Sequence, residues 1–119
     1  MKTILIVEDD PDILFAVSML LEGEGYATQK AENGSVALEI LKNHGLPHLV
    51  LLDMMMPIMN GWQFGLAFRE MYPERTPVVV MSAAADAEQR AQDIGAEGWI
   101  GKPFMLDELL PVIKRFEKP

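Results

Sequence analysis

The segment Leu49-Val50-Leu51-Leu52-Asp53-Met54-Met55-Met56-Pro57 sets four apolar residues directly against a carboxylate. Pro47 bounds the run before and Pro57 after. A short apolar run of this kind reads as a buried strand. Its last member, Asp53, then stands at the carboxyl end of that strand, where parallel α/β sheets build their sites. An Asp in this position also caps turns. Matched polar groups at three other strand ends argue against capping alone.

Working outward, the chain alternates strand and helix. Ile4–Val7 is a β-branched first strand that ends in Glu8-Asp9-Asp10 and Pro11. Asp10 before Pro11 is a helix N-cap followed by a proline at the first helical position. Glu8 and Asp9 are not explained by capping. Two adjacent carboxylates at a strand end point to a hard-cation site, because magnesium prefers oxygen ligands. Ile13, Ala16, Val17, Leu20 and Leu21 predict a helix from Pro11 to Glu22 that stops at Gly23 or Gly25. Tyr26–Ala31 is a weak second strand suited to a sheet edge. Asn33-Gly34 is a turn. Val36 to Leu41 form a second helix that ends near His44-Gly45. With no cysteine and no clustered ligands beside them, His44 and His48 read as surface residues.

Beyond Asp53, the methionines read as gap-filling packing rather than a thioether metal site. Trp62–Met71 is a third helix, and Pro77–Met81 a fourth strand ending in the hydroxyl of Ser82. Asp86–Ile94 is a polar, Ala-rich fourth helix, expected to pack loosely. Trp99-Ile100-Gly101 is a short fifth strand followed by Lys102-Pro103-Phe104. Leu106 to Phe116 form the last helix. Pro111 inside it removes one helical hydrogen bond and predicts a bend.

This order predicts an α/β fold, a doubly wound (βα)5 flavodoxin-like domain over residues 1–119. The five-stranded parallel sheet in order 2-1-3-4-5 carries helices on both faces. Glu8-Asp9 and Asp53 then flank the switch point, with Ser82 and Lys102 at the next two strand ends.

Composition narrows the function. The 119 residues are half apolar, enough for a core, and carry no cysteine. A net charge of -8 argues against direct nucleic-acid binding by this domain. No run is long enough to cross a bilayer, and Met1-Lys2-Thr3-Ile4 enters a strand without a signal peptide. No membrane association and a cytoplasmic location are expected.

With these residues in place, the chain resembles a response-regulator receiver domain of two-component signalling along essentially all its length. The resemblance rests on Glu8-Asp9, on Asp53-x-x-Met56-Pro57-x-Met59-x-Gly61, on Ser82-Ala83 and on Lys102-Pro103-Phe104. It implies that Asp53 accepts a phosphoryl group from a sensor histidine kinase or histidine phosphotransfer protein. It implies magnesium bound by Asp9, Asp53, the Met55 carbonyl and, through water, Glu8. Ser82 and Lys102 would contact phosphoryl oxygens, the Lys102–Pro103 bond would be cis, and Trp99 would be the switch aromatic, bulkier than the usual Tyr or Phe. Such a domain catalyses only its own phosphorylation and dephosphorylation and is not otherwise an enzyme. Met55 and Ala84 flank the phosphate without an acid–base group, which implies slow or moderate dephosphorylation. Partner recognition in the family falls partly on Asp12–Leu20 and Phe104–Leu106. A phosphorylation-dependent dimer stays open, as does the output: a stand-alone receiver and a piece of a larger protein fit these residues equally.

Two other classes compete. A haloacid-dehalogenase-type phosphatase needs a second acid two residues after its nucleophile, and Met55 stands there. A phosphorylation-independent interaction domain would have no use for Asp9, Asp53, Ser82 and Lys102 together.

Overall fold

The computed structural model describes residues 2–73, 76–83 and 85–116. Ten elements alternate: β1 (Thr3–Val7), α1 (Pro11–Gly23), β2 (Ala27–Ala31), α2 (Gly34–His44), β3 (Leu49–Asp53), α3 (Gly61–Met71), β4 (Val78–Ala83), α4 (Ala87–Ile94), β5 (Gly98–Lys102) and α5 (Leu106–Phe116). All strand pairs are parallel, in the order β2-β1-β3-β4-β5. The flavodoxin-like doubly wound fold expected from the sequence is the fold observed.

Side-chain alternation along the strands sorts the core into two layers. Leu5, Val50, Leu52, Val78 and Val80 face α2, α3 and α4, where Leu41, Phe64, Phe68 and Ile94 complete the layer. Ile4, Ile6, Leu49, Leu51, Val79 and Met81 face α1 and α5, against Val17, Leu21, Leu109 and Ile113. Burying one such aliphatic side chain contributes about 1.5–3 kcal/mol, so these layers hold the strand ends in place.

Local chemistry starts the helices where the layers need them. Asp10 accepts from the Asp12 and Ile13 amides, and Asn33 from the Val36 amide. Asn60 and Gln63 form a reciprocal capping box at the start of α3. α3 begins hard against the end of β3: a Cβ on Gly61 would lie 2.6 Å from the Met54 Cα and 2.9 Å from the Asp53 carbonyl oxygen. Only glycine permits that approach.

Several expectations shift at their edges. β4 runs on through Ser82 to Ala83, and β5 extends from Gly98 to Lys102, because Ser82 pairs with Gly101 and Ala83 with Lys102. α4 was expected to pack loosely, yet Ala87, Ala91 and Ile94 are buried, and a Cβ on Gly65 would sit 2.8 Å from Ile94. Small residues there bring two helices together rather than leave slack. Pro111 lies inside α5 on its exposed side. The methionine cluster divides: Met54 and Met56 fill the core, while Met55 is exposed.

Candidate functional site

The carboxyl ends of β1, β3, β4 and β5 converge on one crevice. Glu8, Asp9, Asp10, Asp53, Met55, Ser82 and Lys102 all line it. Glu8 follows β1 and is 1% exposed, its backbone amide donating to the Ala31 carbonyl at 2.9 Å. Asp53 is the last residue of β3 and is 4% exposed. Asp9 is exposed at the rim.

Such burial needs a counter-charge. Lys102, from the end of β5, places Nζ 2.8 Å from Glu8 Oε1 and 3.4 Å from Asp53 Oδ1. Burial alone would lower the Lys102 pKa, but the hydrogen bond and charge of Glu8, joined by Asp53, raise it above its ordinary value. Asp53 goes the other way from a usual paired carboxylate. Burial first, and then the charge of Glu8, push its pKa from 3.8 up to about 7, against the opposing pull of Lys102. Two buried carboxylates share one ammonium, and the site is short of positive charge. The Met55 amide, 3.3 Å from Asp53 Oδ1, provides a weak further donor.

This deficit fits a hard cation. Carboxylate oxygens from Glu8, Asp9 and Asp53 lie within 4.8 Å of one another. The donors are all oxygen, as magnesium or calcium requires. His44 and His48 stand apart and exposed, as expected, with His48 Nδ1 accepting from the Thr3 amide.

The peptide bond Lys102–Pro103 is cis, as the resemblance implied. Trp99 is not in the crevice. It sits on β5 opposite Val80, with 43% of its surface exposed. Ala84 lies outside the described residues. One crevice residue escaped the sequence reading. Arg90, on α4, reaches back so that Nη1 donates to Ser82 Oγ at 2.5 Å. Its position four residues after Asp86 was the available signal, since i,i+4 pairs share a helix face. That pairing by itself describes any solvated helix.

A doubly wound sheet with an acid cluster, a lysine and a hydroxyl at its switch point defines a class of α/β domain with a charged crevice at its strand ends. Comparison with known proteins makes the assignment narrower. The sequence model of the response regulator receiver domain matches residues 4–114, and the chain belongs to that family, the receiver domains of two-component systems. It is 35% identical over 117 residues to sporulation initiation phosphotransferase F of Bacillus subtilis, covering 97% of this chain and 93% of that protein. It is 37% identical over 113 residues to the transcriptional regulatory protein DltR of Streptococcus agalactiae, covering 93% of this chain. The chain spans about half the length of DltR. Among solved structures, the Vibrio cholerae chemotaxis protein CheY4 superimposes with a TM-score of 0.87 at 30% identity, over 98% of both chains. The receiver domain of NtrX from Brucella abortus gives 0.85 at 32%, over 95% of this chain and 96% of that one. Among the described residues, no helix is long and apolar enough to cross a membrane.

Proposed function

We propose that residues 1–119 act as one phospho-acceptor receiver domain in which Asp53 takes a phosphoryl group from a histidine kinase or histidine phosphotransfer protein. The observation that carries this is the buried Asp53 carboxylate at the end of β3, with Lys102 Nζ 3.4 Å from Oδ1 and two further carboxylates beside it. An Asp53 oxygen attacks phosphorus as the donor nitrogen–phosphorus bond breaks. The imidazole leaves with the electron pair, and an acyl phosphate remains. Transfer of this kind is catalysed by alignment and by charge compensation on the equatorial oxygens.

The chain's residues divide that work. Lys102 neutralises charge at the Asp53 oxygen and at the incoming phosphoryl group. Ser82, at the end of β4, donates its hydroxyl to a phosphoryl oxygen. Asp9, Asp53, the Met55 carbonyl and, through water, Glu8 would hold magnesium, whose positive charge would let an anionic phosphodonor approach an anionic acceptor. Trp99 starts from its exposed position on β5 and moves inward as Ser82 closes, changing the output surface. Met55 is exposed and has no acid–base group, which supports slow or moderate dephosphorylation. The domain is cytoplasmic and works on itself alone, and its output runs through a separate protein target, a phosphorelay or a fused effector domain.

Intact mass after incubation with acetyl phosphate tests this reading. One added phosphoryl group that needs magnesium and is absent from Asp53→Asn supports it. No adduct under rapid sampling would leave an interaction domain that keeps the fold without the chemistry.

A further inference from the structure

We propose that Arg90 is a phosphoryl ligand: its guanidinium, delivered by α4 to the Asp53 crevice, donates to an oxygen of the phosphoryl group beside Ser82 and Lys102. The inference rests on the acceptor role of Asp53 and adds to it a residue from a different element.

Three observations carry it. First, Arg90 lines the same crevice as Asp53 and Lys102, and it already hydrogen-bonds the Ser82 hydroxyl from α4. A group within reach of Ser82 Oγ is within a small rotation of whatever Ser82 contacts. Second, the guanidinium is held in place with donors to spare. Its carbon lies 5.4 Å from the centroid of the Trp62 ring, and Trp62 is itself tied to Asp93 by a 3.0 Å hydrogen bond. A guanidinium offers five N–H donors in a planar fork suited to phosphate. Among the described residues its bonds are one to Ser82 and a long 3.4 Å contact to the exposed Asp86. Third, Arg90 and Lys102 are the two cationic side chains among the residues lining this acidic crevice. Glu8, Asp9, Asp10 and Asp53 face Lys102 and Arg90 across the crevice. The phosphoryl group then adds negative charge, which Lys102 without Arg90 would leave poorly compensated.

Ser82 Oγ accepts from Arg90 and so keeps its own proton to donate. Both groups are therefore free to bond the same phosphoryl group, and α4 reads phosphorylation directly rather than only through Ser82.

Beryllofluoride, which adds to a carboxylate as a phosphoryl mimic, is the probe, with magnesium affinity measured separately. Arg90→Ala is expected to weaken beryllofluoride binding about ten-fold or more, in line with loss of a charge-assisted hydrogen bond. Magnesium alone should bind no more weakly, and more tightly where repulsion is relieved. Loss of beryllofluoride affinity without loss of magnesium affinity separates recognition from a folding defect, which would weaken both. Arg90→Lys should recover part of the loss. The Arg90→Ala effect should persist in a Ser82→Ala background. Unchanged beryllofluoride affinity in Arg90→Ala, or an effect that vanishes in Ser82→Ala, overturns the assignment while the acceptor role of Asp53 stands. Failure of the unmodified protein to bind beryllofluoride or gain a phosphoryl group overturns both.

Discussion

The middle of β3 and its last residue are buried to nearly the same degree on opposite physical grounds. Leu51 is fully buried, surrounded by apolar partners, and contributes its whole transfer free energy to folding. Two residues on, Asp53 is 4% exposed with a Glu8 carboxylate as neighbour and a shared lysine as its counter-charge. Burial there raises its pKa to about 7 instead of stabilising the fold. The same strand supplies stability over its middle and uses some of it at its end to hold a carboxylate in an environment it would not choose. Such a group is stabilised by whatever brings positive charge.

The comparison predicts mutational effects of different sign. Leu51→Ala should be the most destabilising change, about 3–4 kcal/mol in urea unfolding, while leaving the Asp53 titration near its original midpoint. A large shift in that titration would mean that middle and end are not separable. Gly61→Ala comes next, at about 2–3 kcal/mol, because the added methyl meets Met54 and the Asp53 carbonyl. Unlike Leu51→Ala, it should also slow phosphorylation out of proportion to the stability lost.

Asp53→Asn reverses the sign. With its folded pKa raised, Asp53 binds a proton more tightly in the folded than in the unfolded state. Metal-free protein should therefore lose stability as pH rises from about 4 to about 7 and level off above. Asp53→Asn should flatten that slope and be more stable by about 2 kcal/mol at pH 8 in chelator. A variant less stable than the parent at pH 8 would refute the charge argument. The smallest effect concerns the loop beyond Asp53. Ile58 has a φ of 67° with 82% of its surface exposed. Ile58→Gly should stabilise by about 1 kcal/mol, read in the same unfolding experiment.

What the sequence made legible follows the same division. Apolar strands, turn signals and caps repeat at short range, so the element order and sheet order could be read directly. Asp53, Glu8, Ser82 and Lys102 could be placed because each terminates an apolar run. Arg90 could not, since its contact with Ser82 spans an unpatterned loop and depends on how α4 docks. The ends of β5 were likewise hidden. Gly98 and Lys102 are poor strand formers, and it is pairing with β4, together with the fit of Phe116 over Gly98, that makes them strand. The left-handed Ile58 is a choice made by the surrounding loop against the residue's own preference.

The most direct test is the carboxyl carbon titration of Asp53 by NMR in chelator and then in magnesium. A midpoint near 7 without metal, falling well below that with magnesium, is the expected result. A midpoint at the ordinary value of about 4 without metal would contradict the account, because Asp53 would then be an unperturbed carboxylate and the end of β3 no different from an exposed turn.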